Sequence, residues 1–541
     1  MATGLPNLKI GGDKVRNELA DAILLSVEVN EELNEHYTCK LICRRSDQNP
    51  NERMYPEKLL SEALVITGVD HEGNEIVVFR GIIIDVELTY EISGSYQTQL
   101  TAITASYFMD LTPRCKRYDS KEFTDIAKQL ANKAEIGDEK GTKVQISGSD
   151  TRSYTQWGES DWEFLARIVD DHEAWMRPNG YTGVEIYDSF QSGSKLAWRE
   201  EHGLISFKAK GTLTPQTFAG ACYNPWEMKS QVFQEVKDDP QYFDGADALM
   251  IMLACAKDGL SLMPSGYLYE PQRLAPEPVL QAYEDLLKKE SRRSVGAGVN
   301  ASGESMNPKL QPGDTVDISG LPDSNGTYGL TKVIHRWTPT GYLNEFACTP
   351  WKKYTNPKPP VPRTWPGLVS GRVTDNNDPN AFGRIKVQFV WQDETMEVWA
   401  RMISPHAGAD RGFMFFPEVG DEVVIGFHDG NVERPYVIGC VWNGVDKPPR
   451  EDFWGGDTGA NDVKRIVTKS GHRIQIADKQ GKESIVLATP KELKVSLIEK
   501  TDETGRSMIT LHSENGDIFL NAPNGRVHIR GKFVSDEAGQ S

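Results

Sequence analysis

Hydrophobic and polar residues alternate over short runs along most of this chain, the two-residue period of half-buried strands. Ile23, Leu25, Val27 and Val29 form one such row, and Tyr37, Cys39, Leu41 and Cys43 a second. These predict two strands joined through Asn30 to Asn34. The pattern continues through Leu64 to Val69, Ile76 to Leu88 and Gln97 to Ala105. Two stretches switch to helical spacing. Phe123, Ile126, Ala127, Leu130 and Ala134 share one stripe of a helix over 121–134, with Ser120 placed to cap it. From Ser160 onward Trp162, Leu165, Ile168 and Val169 do the same, and Ser160 with Glu163 makes a capping-box pair. Strands return at 183–198 and 204–208. Helices are predicted over 244–257 and 277–289, with a loop-rich 264–278 between them. The small, Gly-rich residues 294–303 read as a mobile connector. Strand-like runs at 310–318, 329–337 and 345–350 follow.

Residues 356–366 contain five prolines and no sheet pattern, which makes them a stiff linker. Beyond it come short strands at 384–389, 398–403, 422–427 and 436–441, separated by Gly, Asp, Asn and Pro clusters. Four or five strands in about 70 residues fit a small barrel of the oligonucleotide/oligosaccharide-binding (OB) type. After a connector at 446–462 the pattern changes again. Strands are predicted at 465–468, 472–476, 484–487, 493–497, 508–512, 517–520 and 526–530, punctuated by Ser470-Gly471, Gln480-Gly481, Asn515-Gly516 and Asn524-Gly525. This is a repetitive β array whose strands are too narrow to close a core alone. Three chains wrapped about one axis would bury its Ile, Val and Leu rows together; a small β-sandwich is the alternative.

Composition narrows the function. At 541 residues, three or four domains are expected. The net charge of −18 repels nucleic acid and anionic lipid, and OB modules that bind single strands use basic, aromatic-lined grooves. Met1 to Lys9 has no signal-peptide pattern, and the longest apolar run, Ala248 to Ala256, is too short to span a bilayer. Synthesis in the cytoplasm is therefore expected, with any exit by a signal-independent route. The seven cysteines show no C-x-x-C spacing and read as reduced thiols, Cys39 and Cys43 on one strand face. There is no G-x-S-x-G, no Walker loop and no H-x-x-x-H. His172 reads as a helix-end residue, and Glu200-Glu201-His202 as a solvated turn. Asp375-Asn376-Asn377-Asp378 lacks the Gly and Glu of a calcium loop. His528 sits in the last predicted strand and reads as outward-facing. Catalytic residues, cofactor and metal are all assigned as none.

One ordered set of residues is specific. Pro417, Gly420, Asp421, Glu422 and Val423, then Phe427, Gly430, Arg434 and Pro435, then Gly439 and Asn443, resemble the OB-module signature of VgrG proteins. Asn431 and Glu433 depart mildly, since the family wording has Asp at both positions. Residues 159–164, the Phe79-Arg80-Gly81 strand and Leu310-x-Pro312-Gly313 resemble further stretches of the same family in the same order. The resemblance implies a mainly β, multidomain chain: a two-barrel hub with helical insertions over 1–355, the linker 356–366, an OB collar over 367–445, the connector 446–462, and a trimeric β-helix or β-prism needle over 463–541. Ile518, Leu520 and Ile529 are the expected needle core. It further implies a puncturing spike of a contractile injection machine, not an enzyme. Implied partners are two further copies of the chain, an Hcp-like tube protein, baseplate components, a PAAR-like tip protein or effector and, transiently, the target membrane. Implied localisation is cytoplasmic until firing. A phage-tail or extracellular-particle hub–spike has the same design; a β-helical glycan-active enzyme is the alternative of another class.

Overall fold

The computed structural model describes the chain except residues 1–4, 47–57, 91, 93–94, 133–141, 148–150, 180–182, 201–202, 213, 225–226, 239–240, 244–265, 270–278, 361–362, 391–396, 450–461, 500–506, 533 and 535–541. The predicted helix at 244–257 and most of the connector lie outside the described residues. Two compact units, Met1–Gly439 and Cys440–Ser541, are treated separately.

In the first unit twelve strands form one connected sheet. Its main path runs Leu8–Gly11, Ala63–Val69, Glu75–Tyr90, Ser95–Ile103, Thr38–Ser46, Ile23–Glu32, Gly326–Thr338, Gly341–Thr349, Val299–Ser305 and Leu204–Gly211. Gln191–Ala197 joins through a parallel pairing with Asp314–Ser319, which in turn pairs with Gly326–Thr338. The two halves of the expected hub thus share one sheet but keep separate cores. Val27, Val29, Leu41, Ile66, Phe79 and Leu100 pack with Trp337 and Tyr342 in the first. Leu204, Val299, Val316, Tyr328, Leu330 and Phe346 pack with Trp351 in the second.

Three expectations are corrected here. The pairing of Ile23–Glu32 with Thr38–Ser46 slips between Leu24 and Ser26. This bulge turns Leu24 inward and leaves Ile23 outside, so the inward row is Leu24, Val27 and Val29 rather than Ile23 and Leu25. Ser120 does not stand at a helix start: it lies within the strand Arg114–Glu122, paired with Thr151–Glu159, and the helix begins after it, at Phe123–Asn132. Residues 294–303 are not a mobile connector. The helix Val279–Gly298 runs straight into the strand Val299–Ser305, with Val295, Val299 and Ala301 buried. The small residues there permit close packing: a Cβ on Gly296 would stand 2.3 Å from Thr355 Oγ1, and one on Gly303 2.6 Å from Phe346 Cζ.

A helical layer packs beside the sheet. Phe123–Asn132 and Asp161–Asp171 cover Trp175–Asn179 and Gly183–Tyr187 through Ile126, Leu130, Leu165, Ile168, Met176 and Ile186. Ser160 and Glu163 form the expected capping box. His172 is the C-cap residue of that helix, its Nε2 3.0 Å from Tyr154 Oη.

The same unit carries a closed five-stranded barrel in the order Val369–Asp375, Arg384–Phe389, Glu397–Met402, Pro435–Cys440, Glu422–Phe427. Its core is Val373, Ile385, Val387, Ala400, Val423, Ile425 and Val437.

The second unit contains one antiparallel meander: Val463–Val467, Arg473–Ala477, Ser484–Ala488, Lys494–Ile498 and Met508–His512. The expected strands at 517–520 and 526–530 do not form within the chain. An extended segment becomes a strand only where a neighbouring backbone supplies its hydrogen bonds.

Candidate functional site

The signature residues build the barrel rather than a reaction centre. All but Gly439 and Asn443 gather about the two ends of the strand Glu422–Phe427. At its start, Gly420 takes φ +105°, a conformation open to glycine at little cost. Its N–H donates to Val373 O at 2.9 Å, and Val373 N–H donates to Asp421 O at 3.0 Å. The Asp421 carboxylate accepts from Glu418 N at 2.9 Å, and Pro417 O accepts from Asn376 Nδ2 at 2.9 Å. Glu422 then pairs with Arg372, and Val423 enters the core.

At the strand's far end the barrel meets the hub. Phe427 packs on the barrel core, and Gly430, at φ +71°, accepts Trp365 N–H at 2.7 Å and so fixes the end of the linker. Arg434 O accepts His428 N–H at 3.0 Å, just before Pro435 opens the last barrel strand. Both departures from the family wording have a job here. Asn431 Oδ1 accepts Glu433 N–H at 2.9 Å, which an Asp would also do, while Glu433 reaches Arg117 of the hub at 3.2 Å. Gly439 stands in open space, and Asn443, in the second unit, accepts from Val445 N at 2.8 Å and Asp446 N at 2.7 Å.

Sequence reasoning missed the residue that joins the two parts. Trp157, on the hub strand Thr151–Glu159, is buried in the barrel core, its ring 6.0 Å from Phe389, 5.9 Å from Phe427 and 6.0 Å from Trp365. Cys115 packs beside it, and Arg363 of the linker pairs with Glu163 at 2.9 Å. Behind the indole, Arg167 grips Glu159 at 2.7 and 2.8 Å and donates to Thr155 O. Burial works against the Arg167 charge, but Glu159 more than offsets it and keeps the guanidinium protonated.

The second unit presents an uncovered apolar face. Register stacks two aliphatic ladders across its meander. One is Ile466, Ile474, Leu487, Val495 and Leu511; the other is Ile476, Ile485, Leu497 and Ile509, with Lys464 at its edge. These nine side chains are 40–74% exposed in the single chain. The opposite face is covered by its own contacts: Arg465 Nε donates to Gln475 Oε1 at 2.7 Å, Arg473 pairs with Glu492, and Val486, Ala488 and Ser496 are buried. Ile518, Leu520 and Ile529 are likewise exposed, as is His528.

Nothing among the described residues gathers three or more metal-ligating side chains. Within residues 375–378, Asp378 is fully used. It accepts from Asn380 N, Phe382 N and Arg384 N, and forms a buried pair with the Arg384 guanidinium at 2.8 Å. No described helix is long and apolar enough to cross a membrane.

Comparison with known proteins agrees with this geometry. Residues 369–442 match the type VI secretion system/phage-baseplate injector OB domain, and residues 30–176 the phage tail baseplate hub domain. The spike protein VgrG5 of Pseudomonas aeruginosa is 26% identical over 238 residues, 36% of this chain and 29% of that protein. The actin cross-linking toxin VgrG1 of Vibrio cholerae is 24% identical over 481 residues, 82% of this chain and 42% of that protein. The chain therefore spans less than half the length of these curated relatives. Among solved structures, an E. coli type VI secretion component described as similar to the T4 tail proteins gp27 and gp5 superposes with a TM-score of 0.52 at 16% identity, covering 80% of this chain and 99% of that one. A chain of the half-lidded Francisella PdpA–VgrG complex gives 0.57 at 9% identity, covering 91% and 84%. The chain thus joins an injector OB barrel to a baseplate-hub domain whose Trp157 enters the barrel core. In sequence the chain is similar to VgrG spike proteins.

Proposed function

We propose that this chain is the puncturing spike of a contractile injection machine and works as a homotrimer. The observation that carries this reading is the pair of aliphatic ladders left bare on one face of the meander. Burying a Val, Leu or Ile side chain contributes roughly 1.5–3 kcal/mol, and a continuous apolar patch of this kind is uncommon on a monomer. Two further copies would cover the ladders and offer strand partners to residues 517–520 and 526–530, which form no strand within the chain. The hub over 1–355 would cap a tube of Hcp-like protein within a baseplate, the OB barrel would form a collar over 367–445, and the needle over 463–541 would carry a PAAR-like tip protein or effector through the target membrane. The role is mechanical, without catalysis or cofactor, and begins in the cytoplasm before delivery.

Deleting residues 463–541 tests it. The truncated protein should keep the circular dichroism of a folded β-rich hub, run as a monomer, and abolish delivery by the machine. A tight, active trimer after truncation would overturn the reading and place the assembly contacts in the hub and barrel.

A further inference from the structure

Strands Ile23–Glu32 and Gly326–Thr338 meet where the first hub core adjoins the second, with Glu31 opposite Val333 and Val29 opposite His335. Alternation sends Val27, Val29, Glu31 and Leu33 inward, so a carboxyl occupies a place in an apolar row. Glu31 is 2% exposed and His335 0%. His335 Nε2 lies 3.8 Å from Glu31 Oε2. That is too long for a hydrogen bond and short enough for charge on either group to be felt by the other.

The other imidazole nitrogen is committed. Tyr342 Oη stands 2.6 Å from His335 Nδ1, and Asn344 Nδ2 donates to the same phenol oxygen at 2.9 Å. The phenol hydrogen then has one acceptor in reach among these groups, Nδ1. This sets the tautomer: Nε2 carries the hydrogen and faces Glu31, and it has no other partner among the described residues. The charged groups that face Glu31 from neighbouring elements are Arg177 and Asp314. Arg177 is engaged by Glu185 at 2.8 Å, Asp314 at 2.9 Å and Pro312 O at 2.7 Å, so its charge is shared before it reaches Glu31. The Tyr37 hydroxyl is buried nearby without a hydrogen-bond partner among the described residues.

We propose that Glu31 and His335 form a proton-sensitive latch on this seam, in which the carboxyl is neutral when the hub is tightest and its deprotonation loosens the join between the two cores. Burial raises the Glu31 titration, opposed by His335 and Arg177 and aided by Asp314. The sign follows. A carboxyl whose folded pKa lies above its unfolded value contributes stability fully below the unfolded value and loses it as pH rises through the folded one.

Thermal melts of the full chain and of Glu31→Gln, an uncharged near-isostere, test the latch between about pH 5 and about pH 8. The variant should melt several degrees above the native protein at the alkaline end, with the gap closing toward the acidic end. Parallel melting at every pH, or a variant that melts lower at the alkaline end, would overturn the proposal; the second result would mean a stabilising carboxylate–imidazolium pair. If the variant does not fold, hydrogen exchange on the native chain decides. Backbone amides of Ile334 and His335 should lose protection with rising pH faster than amides of the Glu422–Phe427 barrel strand, after correction for intrinsic rates. Equal loss at both places would sink the latch.

Discussion

The indole of Trp157 lies 5.9 Å from the ring of Phe427, inclined at 61°, so a hub side chain closes one end of the OB barrel. The barrel is therefore seated on the hub and not merely tethered by its proline-rich linker. Removing the indole leaves a cavity shared by Phe389, Phe427 and Trp365. Trp157→Ala should cost about 3–5 kcal/mol. The cost should appear as a lower barrel melting point together with protease cleavage inside 356–366. Cleavage and melting like the native protein's would show that the linker alone positions the barrel.

Asp378 and Arg384 form a pair that is 4% and 5% exposed. The Asp378 carboxylate is held well below the usual range: burial opposes its charge, but Arg384 and the backbone N–H groups of Asn380 and Arg384 outweigh that. A depressed carboxylate contributes stability above its unfolded pKa and loses it as pH falls through the folded value, so the barrel should weaken only in strong acid. Asp378→Asn leaves a buried guanidinium without its counter-charge and should destabilise the barrel by about 3–5 kcal/mol at neutral pH. Calcium should leave the native melting point unchanged. A calcium-dependent rise would restore the metal-loop reading of residues 375–378.

The two aliphatic ladders can be tested one at a time, through Ile476 in one and Leu487 in the other. Ile476→Asp and Leu487→Asp change side chains that are 42% and 46% exposed in the single chain. They should leave the protomer folded by circular dichroism while shifting its mass from trimer to monomer. Ile518→Asp, Leu520→Asp and Ile529→Asp should act in the same direction if residues 513–534 pair with neighbouring copies, whereas Arg526→Ala and Arg530→Ala should assemble normally. Unchanged mass for Ile476→Asp and Leu487→Asp would show that the ladders do not face the axis.

Much of the fold was legible because it depends on local pattern. The capping box at Ser160 and Glu163, the strands of the barrel and the first five strands of the last unit all follow from period and turn chemistry. What escaped depends on partners distant in sequence. Ser120 was drawn into a strand by Thr151–Glu159, and the bulge at Leu25 appears only once Thr38–Ser46 is in register. Residues 294–303 looked mobile because small side chains signal both flexibility and close packing, and only Thr355 and Phe346 decide between them. Of the signature residues, Gly420 and Asp421 stand at a turn, while Glu422, Val423 and Phe427 lie on the strand that follows. The joint residue Trp157 was passed over, although it stands two positions before the Glu159 to Phe164 segment that carried part of the resemblance. The alternating runs at 474–476, 485–487 and 495–497 were readable as strands, yet their shared bare face emerges only when the five strands lie side by side.

The most direct test is the solution mass of the intact chain at micromolar concentration, measured by light scattering. Three copies sharing the bare ladders predict a particle of about three times 60.4 kDa that resists dilution. A stable, folded species of 60.4 kDa would contradict the account, because the exposed Ile, Val and Leu rows would then have nothing to cover them.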